Sequence, residues 1–148
     1  MSEHPIDLSW ARSDQPFERG KISQEHLIRF HGGQTLTNSS AAGYGGSSQA
    51  SNPEELLAAS VGSCHMLTFL AVAANRGWIV DRYEDHSVAY LDKNDRGQPV
   101  VTRIDLHPRV IFGGDKQPDQ ADVTRMHERA HQACFIANSV KAEVKLNL

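Results

Sequence analysis

The stretch from Asn52 to Gly77 constrains this chain more than any other, because it reads as one long helix with almost no polar face. Asn52 is suited to cap it, Pro53 fits the first helical position, and Glu54 and Glu55 complement the positive end of the helix dipole. Glu55 stands where it can close a capping box onto Asn52, a motif that more often starts with Ser or Thr. From Leu56 to Ala74 the segment is apolar nearly all round, and Asn75-Arg76-Gly77 ends it, with Gly77 suited to a left-handed cap. The pattern predicts a buried helix over about 53–76. Short strands and one further helix from the same chain are too little to cover it. A second copy should supply the rest, so a homodimer is expected.

Around this helix the chain alternates strand and turn signals. His26-Leu27-Ile28-Arg29-Phe30 and Thr35-Leu36-Thr37 read as strands joined by a glycine turn. Residues 38–51 are rich in Ser, Ala, Gly and Asn and read as a mobile loop. Strand patterns follow at 87–91 and 100–112, with a hairpin at Asn94-Asp95-Arg96-Gly97 between them. A second helix is expected from about Asp119 to Asn138, and a last strand from Ala142 to Leu148. The order predicts an α+β fold with antiparallel sheets and two main helices, built as a single domain over 1–148.

Fifteen basic against eighteen acidic residues, with no basic arm, argue against nucleic acid as a partner. The first residues lack the basic and apolar regions of a signal peptide. No uninterrupted apolar run approaches the roughly 18 residues of a membrane span. A cytoplasmic protein without membrane contact is expected.

Cys64 and Cys134 are the two cysteines. Taken singly, each reads as a small buried hydrophobe; in a reducing compartment a pair of thiols is more often chemical. Two arrangements compete. His127-Glu128-Arg129-Ala130-His131 spells H-E-x-x-H, and Cys134 lies on the same helical face, so His127, His131 and Cys134 could serve as metal ligands. A zinc protease would need a further ligand downstream, where only Glu143 offers an acid. The other arrangement joins the two helices into a two-thiol redox site. There one cysteine is a thiolate that reduces peroxide, and the second condenses with the resulting sulfenic acid. His65, next to Cys64, points about 100° away on a helix and reads as structural or interfacial, whereas His131 is better placed to contact Cys134.

The run Asn52-Pro53-Glu54-Glu55-Leu56-Leu57-Ala58-Ala59-Ser60-Val61-Gly62-Ser63-Cys64-His65-Met66 resembles the signature of the OsmC/Ohr family, the osmotically inducible and organic hydroperoxide resistance proteins. Residues 130–144, from Ala130-His131-Gln132-Ala133-Cys134 to the closing strand, are similar to that family's second cysteine segment. The resemblance implies an OsmC/Ohr-like fold, an intertwined homodimer, and a thiol peroxidase that reduces organic hydroperoxides without a cofactor. It makes Cys64 the peroxidatic thiol, Cys134 the resolving thiol and Glu54 the acid that orients an activating arginine. A dithiol reductant, lipoyl-type or small, would regenerate the enzyme. Residues 38–51 contain no arginine, which leaves Arg19 as the first candidate, ahead of Arg29 and Arg12. A non-catalytic binding protein of the same fold is the alternative, beside the metal site.

Geometry adds a condition. On a straight helix, residues 54 and 64 stand roughly 15 Å apart. Direct cooperation of Glu54 with Cys64 therefore requires a helix break around Ser60 to Ser63, for which Gly62 is the natural place, or delivery of Glu54 from a partner subunit.

Overall fold

The structure is a computed structural model that describes residues 1–148. The chain divides into two compact units, Met1–Leu56 and Leu57–Leu148. In the first, strands β1 (Ile6–Ser9), β2 (His26–Phe30) and β3 (Thr35–Asn38) form an antiparallel meander in that order. Ile28 is its buried apolar residue, and Asn38 and Ser39 are buried beside it in sequence. The loop that follows β3 is tied down, contrary to its mobile composition. Ser39 donates its N–H to the Ser51 carbonyl at 2.9 Å, the Ser51 hydroxyl donates to Asn38 Oδ1 at 2.9 Å, and Ala42–Tyr44 make a single 3-10 turn. Small polar side chains serve here as buried hydrogen-bonding partners.

Helix α1 runs unbroken from Pro53 to Asn75. Its start is the reciprocal box expected of the sequence. Asn52 Oδ1 accepts from the Glu55 N–H at 2.9 Å, and Glu55 Oε2 accepts from the Asn52 N–H at 3.2 Å. Gly77, with φ of 78°, ends it in the left-handed region. By length and composition α1 could cross a membrane, a test that core helices of globular proteins also pass. Its burial is one-sided within the chain. Ala58, Val61, Gly62, His65, Phe69 and Ala73 form the buried stripe, while Ala59, Ser63, Leu67 and Ala71 lie exposed on the opposite face.

In the second unit, β4 (Ile79–Asp85) runs into β5 (Val88–Lys93), and β6 (Pro99–Leu106) runs into β7 (Pro108–Gly113). This is one long hairpin folded across its middle, so β4 pairs with β7 and β5 with β6. The expected continuous strand 100–112 is therefore broken at His107. Asp85 fastens the bend: its Oδ1 accepts from the His107 N–H at 2.6 Å and its Oδ2 from the Ser87 hydroxyl at 2.7 Å. Gly62 of α1 sits against this bend. A Cβ there would come within 2.4 Å of Ser87 Oγ, so the glycine serves close approach and not a helix break.

Helix α2 spans Gln120–Ala133, capped by the Asp119 carboxylate, which accepts from the Asp122 N–H at 2.7 Å. It stops short of the expected Asn138 because Cys134 adopts an extended conformation. Strand β8 (Glu143–Leu146) then pairs with β6 in parallel, the one parallel pairing in otherwise antiparallel sheets. Two apolar clusters hold the unit together. Ala58, Val61, Ile104 and Leu106 join the first half of α1 to β6. Phe69, Ala73, Met126 and Ala130 join its second half to α2.

Candidate active site: two thiols and a buried imidazole pair

Cys64 lies mid-way along α1 and is partly exposed; Cys134 lies just past α2 and is fully buried. The fold brings them near enough for each thiol to move the other's pKa. Cys134 does more than end α2. Its Sγ accepts from the Ala137 N–H at 3.4 Å, as a capping side chain does at the start of a helical turn. The Asn138 N–H, in turn, donates to the Cys134 carbonyl at 3.1 Å. The Ala137 amide of this turn thus faces sulfur.

These donors decide how each thiol titrates. Burial pushes Cys64 up, but the Ile136 N–H, the Cys134 thiol, the Phe135 N–H and the Thr68 hydroxyl outweigh it, and its pKa falls below the ordinary thiol value. Thr68 is the weakest of them for a simple reason. Its single hydroxyl hydrogen is already given to the Cys64 carbonyl at 2.8 Å. Cys134 moves the other way: burial pushes it up, the Ala137 N–H opposes that, and the neighbouring Cys64 sulfur raises it further.

Every group acting on Cys64 is a backbone amide, a thiol or a hydroxyl of the second unit. Arg19 lies in the first unit, exposed in a turn, with Arg12 and Arg29 also exposed. Glu54 lies in the first turn of α1, with Oε2 buried and without a partner. The unbroken helix separates residues 54 and 64 by about 15 Å. Direct cooperation between them along one helix does not occur.

The structure resolves the histidines differently from the sequence reading. His65 and His127 are both buried and face each other, with His65 Nε2 at 3.0 Å from His127 Nδ1. Phe69 stacks on the His127 ring at 4.2 Å. Burial lowers both imidazoles to about 4, so both are neutral at physiological pH. His65 Nδ1 is buried without a partner. The tautomer that leaves no N–H orphaned there has His65 Nε2–H donating to His127 Nδ1. His131 meets Cys134 through the backbone only, the Cys134 N–H donating to its carbonyl at 3.3 Å. The three-ligand metal face of His127, His131 and Cys134 is not formed, because His127 is turned to His65, and nowhere do three His, Cys, Asp or Glu side chains converge to hold a metal ion. The i, i+4 spacing of the H-E-x-x-H run correctly put both histidines on one face of α2. That α1 presents a third imidazole to His127 had no local signal.

The model of the OsmC-like protein family matches residues 45–148, the segment that carries both cysteines. The chain belongs to this family. It is similar to an OsmC-like protein of unknown function from Vibrio cholerae O1 biovar eltor, with 36% identity, 99% of each chain covered and a TM-score of 0.93. Two more distant structures share the fold. An organic hydroperoxide resistance protein from Elizabethkingia anophelis is 17% identical, with a TM-score of 0.75 over 99% of this chain and 94% of that one. The organic hydroperoxide resistance protein OhrB of Bacillus subtilis is 20% identical, with a TM-score of 0.70 over 99% and 98%. No curated protein sequence matches.

Proposed function

We propose that the protein is a thiol peroxidase that reduces organic hydroperoxides through a two-cysteine cycle. One observation carries this reading: the fold sets two thiols from distant parts of the sequence beside each other, with the pKa of the part-exposed Cys64 pushed down and that of the buried Cys134 pushed up. Such a split assigns the attacking group and the resolving group. The names of the fold neighbours, organic hydroperoxide resistance proteins, supply the substrate class.

The Cys64 thiolate attacks the terminal oxygen of the hydroperoxide, the O–O bond breaks, and the alkoxide takes a proton and leaves as the alcohol. Cys64 is then a sulfenic acid. Cys134, as thiolate, attacks that sulfur and water leaves, giving the Cys64–Cys134 disulfide. An external dithiol, lipoyl-type or small, returns both thiols in exchange for its own disulfide. We assign Arg19 as the activating cation and Glu54 as the acid that orients it, both reaching Cys64 of the partner copy in a homodimer, since the unbroken α1 keeps Glu54 away from Cys64 of its own chain; the buried, unpartnered Oε2 of Glu54 supports an acid awaiting a donor. We further propose a cytoplasmic homodimer. The exposed Ala59, Ser63, Leu67 and Ala71 stripe and the exposed Phe135 support a second copy as cover.

Stopped-flow oxidation of the reduced protein by an organic hydroperoxide tests the proposal. Thiol loss should be fast and stoichiometric, with R19A at least about tenfold slower, the rate cost of one pKa unit. A binding protein without turnover is the second reading. It is favoured by the surroundings of Cys64, which supply hydrogen-bond donors but no formal positive charge. Thiol loss no faster than that of free cysteine would establish it. Sedimentation of a stable monomer at micromolar concentration would remove the dimer.

A further inference from the structure

The contact between α1 and α2 is apolar except at one point. Phe69 and Ala73 on α1 meet Met126 and Ala130 on α2, and His65 and His127 lie among them, each about 1% exposed. Apolar side chains can exchange neighbours with little selectivity, so a sliding or rotation of α2 over α1 is only weakly opposed by them. The imidazole pair is different. Its hydrogen bond forms at one register only, and any other leaves two nitrogens unpaired away from water. The pair stands close in the chain to both sulfurs: Cys64 immediately precedes His65 on α1, and Cys134 follows the last residue of α2, the helix that carries His127.

We propose that the His65–His127 hydrogen bond is a positioning device that sets the register of α1, which bears Cys64, against α2, which leads directly into Cys134, and so the readiness of Cys64 and Cys134 to join. This rests on the proposed two-cysteine cycle. The pair acts on the second step, disulfide formation, and not on attack of the hydroperoxide, since neither imidazole is among the groups acting on Cys64.

The test is the equilibrium of the full-length protein with reduced and oxidised glutathione. Two protein thiols yield two electrons and two protons to oxidised glutathione, which leaves as two molecules of the reduced form. H127L removes the acceptor and H65M the donor, while H127N offers an oxygen near the Nδ1 position. F69L removes the ring stacked on His127 but leaves both imidazoles, and so their hydrogen bond, in place. Expected is an at least tenfold loss of disulfide equilibrium constant in H127L and H65M, with H127N and F69L within threefold of the parent. The rate of first thiol oxidation by hydroperoxide should stay within threefold in all four. The proposal falls if H127L or H65M leaves the disulfide equilibrium unchanged, or if F69L or H127N lowers it as much as they do. It falls equally if neither pair-breaking variant folds while H127N does, since the bond is then a condition of folding. Because glutathione replaces the hydroperoxide, a parent protein that forms the disulfide but reduces no hydroperoxide sinks the proposed activity alone. A parent that forms no disulfide sinks both.

Discussion

Cys64 and Cys134 lie near enough to shift each other's pKa, yet their settings differ in almost every respect. Cys64 stands mid-helix, where its own backbone N–H is committed to the helix, and borrows its donors from the turn after α2. Cys134 belongs to that turn, caps it with its sulfur, and is wholly buried. One turn thus lowers the pKa of a thiol on helix α1, while the pKa of its own cysteine is raised by burial. Identical side chains acquire opposite pKa shifts through burial and the placement of a few amides, with no difference in local sequence chemistry to announce it.

The sharpest way to break the comparison is to remove either sulfur. C64S should bring hydroperoxide reduction down to the uncatalysed background, because an alcohol does not ionise at neutral pH. C134S should consume one equivalent of hydroperoxide and stop, with mass spectrometry finding Cys64 as sulfinic or sulfonic acid under excess oxidant. If the two substitutions were equivalent, the division of roles would be wrong.

A smaller effect should come from acid. His65 and His127 are lowered to about 4 in the folded chain, against about 6.5 when unfolded. Between these values the unfolded chain binds protons that the folded one refuses, so their contribution is complete above pH 6.5 and declines as pH falls toward 4. His131 opposes protonation of His65 and Asp85 favours it, which leaves the net direction unchanged. Urea midpoints should therefore drop over this range, and drop less in H127N. The smallest effect is expected of T68V. It should raise the Cys64 pKa only slightly, because the hydroxyl is already engaged by the helix carbonyl. A rise as large as that in an arginine variant would mean that the hydroxyl, and not the turn, makes Cys64 acidic.

Local signals in the sequence served well wherever the physics is local. The Asn52–Glu55 box, the Gly77 cap and the Asn94–Gly97 hairpin all form as their residues dictate. Strand β4 was overlooked, because Ile79-Val80-Asp81-Arg82-Tyr83-Glu84-Asp85 carries too many charges for a clean alternation. Gly62 was misread as a hinge, since only the bend at Ser87 gives the missing Cβ its reason. The cysteines were legible through the motif around them. The imidazole pair was not, as it joins residues 62 apart in sequence by a single contact.

The parallel pairing of β8 with β6 bears on when chemistry becomes available to a nascent chain. Arg103–Leu106 must wait for Glu143–Leu146, and the turn that holds Cys134 lies between α2 and that late strand. During synthesis both cysteines are made before the segment that anchors one of them against the other. Non-local parallel pairing is also slow to form. Until it does, Cys64 lacks the fixed amides that make it acidic and remains an ordinary thiol. A chain truncated before Glu143 is accordingly expected to keep Cys64 as an ordinary thiol, which thiol titration of such a fragment would check.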